Sequence, residues 1–364
     1  MTSVSLLGQR ADLGGDFSTI ANSARVYQHL LGGSAAYAAD RTAADAVYET
    51  AEWLRTAALI NRDFGVLSVK WSLAHGVRQF LDLGCGYPGA VNVHEVTDTD
   101  RTGCPVVYVD NDPEVYAHAR CELDEGPATT VVHADFLAMD QLLACEAVRT
   151  AFVPGAPVAV LLHDVLPWCA DGPALDQAMA MLRAWMPVGS TLSITHLTDH
   201  WHHATMPDVT AAFAGHGLHV HPRSSDEISD LFGDLVQQDP GLTATGRWHE
   251  HGRYVHHPPE HSAAFAGIAV IQTIVPHHGV RDRTVLGQPQ PLHCERHTTP
   301  QNDMDRRTEP VHVAPKGPFM AASWTSKTPA RLMDIVDDTG ELLPDGRVVA
   351  PHRPAPASLT GAAA

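Results

Sequence analysis

Five short apolar runs alternating with helical segments predict an α/β fold on a mainly parallel sheet. The runs are Gln79–Leu83, Pro105–Asp110, Thr130–His133, Val158–Leu162 and Ser190–Thr195, with helical rhythm over 113–124, 137–149 and 173–186. Their residues are nearly all apolar and often β-branched, so both faces of each strand are buried, as happens when helices cover a parallel sheet on both sides. The first run also ends in glycines, Gly84 and Gly86, where a strand turns tightly into the next element.

The remaining elements fall around this core. Ala21–Leu31 and Ala38–Leu59 read as helices, the second with Asp40 and Asp45 near its start, and Asn61–Ala74 keeps the helical period. Residues 18–75 therefore form a helical lid ahead of the sheet, and residues 1–17 a tail. Asp234–Gln238 and Ala266–Val275 are candidate closing strands. Eleven of the 26 prolines lie after residue 276, and Pro276–Arg331 is poor in apolar residues. That is linker composition. The expected division is a main domain over 18–276 and a C-terminal extension over 277–364, containing a small hairpin turning at Pro344-Asp345-Gly346 and ending in a frayed tail.

Composition excludes several classes. The chain has 364 residues, 42 Asp+Glu, 24 Lys+Arg and a formal charge of −18. Residues 1–276 carry 32 acidic and 14 basic side chains, while the remainder balances at ten each. A net-acidic domain without a Lys/Arg run is a poor partner for nucleic acid. The sequence shows no membrane-spanning run and no signal peptide. Its six cysteines lack CxxC pairing, which fits buried thiols in a reducing, cytoplasmic compartment.

Ligands of open α/β sheets bind beyond the carboxyl ends of the strands. The first strand delivers Asp82-Leu83-Gly84-Cys85-Gly86 there, the second Asp110-Asn111 and the third Asp135-Phe136. Gly84, Gly86 and Gly89 match a dinucleotide spacing. Pro88 intervenes, however, and Asp82 would repel a pyrophosphate; an acid there suits an amine-bearing ligand. Asp110 can accept from ribose hydroxyls. Asp135 can accept from an adenine amino group, with Phe136 flanking the ring. A ribose, an adenine and a cationic amino-acid end, without phosphate, describe S-adenosylmethionine better than a nicotinamide dinucleotide.

The sequence also resembles a family of actinobacterial S-adenosylmethionine-dependent methyltransferases long catalogued as a domain of unknown function. The resemblance lies in Ala21-Asn22-Ser23-Ala24-Arg25-Val26-Tyr27, Leu30-Leu31-Gly32-Gly33, Ala39-Asp40-Arg41 and Asn61-Arg62. It continues through Arg78–Gly84, Asn92–Val96, Val107–Pro113, Ala117–Arg120, Arg223-Ser224, Glu227-Ile228, Pro240–Leu242 and Arg247-Trp248, spanning roughly 18–275. It implies a class I methyltransferase fold, Rossmann-like, and use of S-adenosyl-L-methionine. Two blocks depart from the family: Ser34-Ala35-Ala36-Tyr37 replaces a Lys and a polar residue before the aromatic, and Val165-Leu166-Pro167-Trp168 replaces Val-Leu-His.

Methyl transfer is an in-line displacement that needs positioning, and a base only where the acceptor must lose a proton. His163 and Asp164, after the fourth strand, are the catalytic candidates, with Trp168 beside an acceptor. Arg25 in the lid is a candidate contact for the cofactor carboxylate. The expected acceptor is a small molecule; a non-catalytic cofactor sensor is the rival. Fourteen of 24 histidines lie between His196 and His278. His196 and His200 are four apart, but no complete metal motif follows, so the expectation is a solvated surface and no metal.

Overall fold

The computed structural model describes residues 17–98, 103–124 and 126–272. The tail before Phe17 and the extension from 277, with its hairpin, lie outside the described residues. Two lid helices, α1 (Ser23–Leu30) and α2 (Ala38–Thr50), precede a long helix α3 (Trp53–Ala74). The single helix expected over 38–59 is therefore broken. Ala51 takes φ −148° and ψ 82°, a change of direction made without glycine or proline, and both halves bury alanine-rich faces in the lid's own core.

The sheet follows: β1 (Phe80–Leu83), β2 (Val106–Asp110), β3 (Thr129–His133), β4 (Ala159–His163) and β5 (Thr191–Leu197). Short β6 (Val236–Gln237) and β7 (Thr243–Ala244) precede β8 (Ala264–Val270). Spatial order is β3-β2-β1-β4-β5-β8-β6, with β7 also on β8. β1 to β5 pair in parallel. β8 runs antiparallel to β5, Thr191 opposite Val270 and Leu197 opposite Ala264, so both late runs do close the sheet. The connecting helices are α4 (Val93–Asp98), α5 (Pro113–Glu122), α6 (Met139–Ala144), α7 (Glu146–Ala151), α8 (Pro173–Trp185), α9 (Met206–Gly215) and α10 (Ser225–Leu231). The helix expected over 137–149 is two, divided at Cys145.

Strand alternation sorts side chains to two faces. Leu81, Leu83, Val107, Val160 and Leu162 pack against Leu142, Val148 and Leu182 of α6, α7 and α8. Phe80, Val106, Tyr108 and Leu161 pack with Val69 and Leu73 of α3 and Ala119 of α5. A third core joins α1, α2 and α3 to Phe213 of α9. It seats the lid at the carboxyl end of β5, through Leu197. No described helix is long and apolar enough to cross a membrane. The strand order reverses between β1 and β4, and the residues beyond that point form the site.

Candidate active site

β1 ends in a loop whose conformation favours glycine. Gly84 (φ +70°) and Gly86 (φ +63°) are both left-handed, and a Cβ on Gly84 would stand 2.5 Å from Val165 Cγ2. The loop is strapped to β2: Gly84 N and Cys85 N donate to Val109 O at 2.8 and 3.0 Å, and Gly86 N donates to Asp110 Oδ2 at 3.0 Å. Asp110 Oδ1 accepts from Asp112 N at 3.0 Å, and the Asn111 amide adds a further backbone bond, so the main chain fixes the carboxylate. Burial pushes the Asp110 carboxyl up, against those amide bonds. The Cys85 thiol is held well above its usual range by burial and by Asp110 and Asp82. Gly89 N is taken by Asn92 Oδ1 at 2.9 Å. The third glycine of the dinucleotide spacing thus serves its own turn.

Asp135 caps the turn after β3, accepting from Leu137 N at 2.9 Å through Oδ1. Phe136, expected to flank a ring, belongs to the core around Met139 and Leu142 and is 6% exposed; it backs this wall. Asn111 is exposed, and its carbonyl faces His133 Nε2 at 3.1 Å.

Asp82 lies on the α3 face of β1. Burial pushes its carboxyl up to about 7, opposed by the charge of Arg62 and reinforced by Asp110. Arg62 is the site residue that residue-by-residue reading missed; it entered only through the Asn61-Arg62 block of the resemblance. It extends from α3 over the glycine loop, with Nη2 donating to Tyr87 O at 3.2 Å, Nη1 3.7 Å from where a Gly89 Cβ would be, and its guanidinium carbon 5.6 Å from the centre of the Tyr27 ring. Arg62 Nε is buried without a hydrogen-bond partner among the described residues. An unpaired buried donor on a cation costs stability until an acceptor arrives.

A second lid cation does something different. Arg25, expected to reach the cofactor carboxylate, is 3% exposed and donates to Asp40 (Nε, 2.7 Å), to Ile20 O (2.8 Å) and to Glu114. Asp40 also accepts from Asn22 N and Tyr37 N, both at 2.8 Å. Asn22 Nδ2 donates to Asp112 Oδ2 at 2.7 Å, and Tyr37 Oη to Glu114 Oε1 at 3.1 Å. Arg25 therefore fastens the lid to the start of α5, and its donors face carboxylates already in place.

The two catalytic candidates separate as clearly. His163 Nε2 pairs with Ser193 Oγ at 2.8 Å, and its ring meets Phe64 edge-on at 5.4 Å. Burial and the charge of Arg62 lower it to about 3, so it is neutral near pH 7, with Nε2 engaged by Ser193 and its ring packed beneath α3. Asp164 takes a left-handed φ of 58°, uncommon for any residue with a side chain. Its N–H donates to Thr195 Oγ1 at 2.9 Å. Thr195 Oγ1 donates to Asn61 Oδ1 at 2.6 Å, Asn61 Nδ2 to Tyr27 Oη at 2.8 Å, and Tyr27 Oη to Ala58 O at 3.1 Å. This chain links the ends of β4 and β5 to α3 and the lid. Burial lifts the Asp164 carboxyl to about 7.

Behind the site, Arg223 braces the segment after β4. It donates to Leu166 O (2.9 Å), Cys169 O (2.8 Å), Asp171 (2.7 and 2.9 Å) and His196 Nε2 (2.6 Å). His196 Nδ1 consequently carries the proton and donates to Leu197 O at 2.7 Å. Burial, with Arg223 adding to it, keeps this imidazole near a pKa of about 3. His196 is in β5 and wholly buried, so it does not share a helix face with His200. Among the described residues no group of three or more His, Cys, Asp or Glu is placed to hold a metal ion.

The family description "S-adenosyl methyltransferase" matches residues 16–272. The chain belongs to that family. A proposed methyltransferase of known structure from Thermobifida fusca is 31% identical, with 71% of this chain and 97% of that one covered and a TM-score of 0.66. A DUF574 family protein from Streptomyces avermitilis is 28% identical over 70% of this chain and 99% of that one, again at 0.66. Comparison with curated proteins gave no match. The resemblance read from the sequence, the class I fold and the assignment as an S-adenosylmethionine-dependent methyltransferase all agree with these relatives. Within the family fold, the loop of Gly84 and Gly86 lies at the reversal of strand order, where α/β sheets bind ligands.

Proposed function

We propose that this methyltransferase moves a methyl group from S-adenosyl-L-methionine to a small-molecule acceptor in the cytoplasm, without nucleic-acid or membrane partners. The observation that carries the cofactor assignment is a complementary set of unspent groups around one loop. Asp82 has no hydrogen-bond partner among the described residues and suits an ammonium. Arg62 Nε, buried and unpaired among the described residues, suits a carboxylate. Asp110 suits ribose hydroxyls, and Asp135 Oδ2 is available for an adenine amino group. When bound, S-adenosylmethionine supplies a methyl group made electrophilic by sulfonium.

The chain's own residues do the rest. Gly84 lets the ligand come against bare backbone. The lid, fastened through Arg25 and Asn22, excludes water from the transfer, where desolvation favours a charge-dispersing displacement. Asp164 receives the proton of an acceptor that must lose one. The test is calorimetric titration with S-adenosylhomocysteine. One site per chain with micromolar affinity is expected, together with loss of at least about tenfold in Arg62→Met and Asp82→Asn, in line with a charged hydrogen bond. No heat from a folded sample, or unchanged affinity in both variants, overturns the assignment.

A further inference from the structure

Between α1, α3, α9 and the carboxyl ends of β4 and β5 runs a cleft lined in part by Tyr27, Leu54, Asn61, Asp164, Trp168 and Phe213. Most of its wall is apolar, and Trp168 meets Phe213 edge-to-face at 5.4 Å. Its polar groups differ in what they can offer a ligand. Asn61 and Tyr27 are spent on Thr195, on each other and on Ala58 O. Asp164 lines the same cleft with a carboxyl that has no hydrogen-bond partner among the described residues, on a backbone pinned by Thr195. The cleft therefore combines an apolar, aromatic wall with one rigidly placed acceptor, which is how small-molecule sites fix orientation.

We propose that this cleft is the acceptor pocket, and that it takes a small uncharged ring bearing one O–H or N–H, seated by Trp168 with that donor on Asp164. The proposal rests on the methyl-transfer reading above. An anionic ligand would meet Asp164 as a like charge. An ammonium would shed its hydration into an apolar wall and has no lone pair with which to attack. A neutral donor meets neither objection: its proton passes to the Asp164 carboxylate, and the bonding pair stays on oxygen or nitrogen. The cleft measures about 570 Å³ counting its open mouth, but only about 50 Å³ admits a water molecule. The ligand is thus limited to about one ring.

The experiment titrates phenol, toluene, benzylamine and benzoate into the full chain saturated with S-adenosylhomocysteine. Phenol should bind once per chain, at least about tenfold more tightly than the other three, the toluene gap being the loss of a hydrogen bond to a charged group. Asp164→Gly, which tolerates the positive φ, should bring phenol to the level of toluene. Ala57→Phe, which fills the cleft, should abolish phenol binding and leave the S-adenosylhomocysteine titration unchanged. Equal binding of toluene and phenol, preference for either charged ring, or indifference to Ala57→Phe overturns the proposal. If S-adenosylhomocysteine binds and phenol does not, the acceptor assignment alone falls. A folded sample that takes no S-adenosylhomocysteine removes the cofactor reading as well.

Discussion

Lowering the pH should weaken cofactor-product binding through one residue, Asp82. In the free protein burial holds this carboxyl near 7. Pairing with the ligand's ammonium favours the ionised form, so the pKa falls on binding and complex formation expels the proton that the free carboxyl carries. Affinity is then level above about pH 8 and drops by about tenfold for each unit below 7, or about 1.4 kcal/mol per unit. Titrating S-adenosylhomocysteine at pH 6 in two buffers of different ionisation enthalpy should give release of about 0.9 proton per ligand, the protonated fraction of a group with a pKa near 7. Asp82→Asn should bind more weakly at pH 8, with that pH dependence removed. Asp164→Asn should keep the slope, because Asp164 faces the acceptor cleft. A flat profile from pH 8 to 5.5, or a slope that survives in Asp82→Asn, would refute the reasoning.

Three further outcomes follow from the geometry. Asp164 has its folded pKa raised to about 7; the unfolded chain ionises it more readily, so it lowers stability as pH climbs from about 4 to 7. Asp164→Asn, equally at ease at positive φ, should make the ligand-free protein about 2–4 kcal/mol more stable at pH 8, with the gap closing toward pH 4 in urea melts. Gly84→Ala adds a Cβ 2.5 Å from Val165 Cγ2 at φ +70° and should cost about 2–4 kcal/mol; a urea midpoint equal to wild type contradicts the loop geometry. Arg25→Met leaves Asp40, which is 0% exposed, without its cation and should destabilise by about 3–5 kcal/mol. A loss in Arg25→Met below about 1 kcal/mol would mean the lid is held some other way.

The sheet was legible because burial on both faces writes itself into consecutive residues: Val106, Val107, Tyr108 and Val109 are all 1% exposed or less. The carboxylates at the strand ends were legible for a related reason, since topology alone assigns Asp82, Asp110 and Asp135 to one rim. Side-chain allegiance was not. The spacing of Arg25 in the lid does not say which way it turns, and its partners Asp40 and Glu114 stand 15 and 89 positions off. His163 and Asp164 are neighbours whose roles diverge because one stays in the strand, packed under α3, while the other leaves it at a positive φ. Arg62 sits within a continuous helical rhythm, and only the fold shows it reaching the glycine loop. The break at Ala51 carries no local mark, because the packing of the lid core makes it.

A crystal structure of the full chain with S-adenosylhomocysteine tests the central claim most directly. The account predicts the ligand across the Gly84–Gly86 loop, its ammonium within about 3 Å of Asp82, its carboxylate on Arg62 and its ribose hydroxyls on Asp110. A ligand seated elsewhere, or with its carboxylate on Arg25 and Asp82 facing no donor, would contradict it.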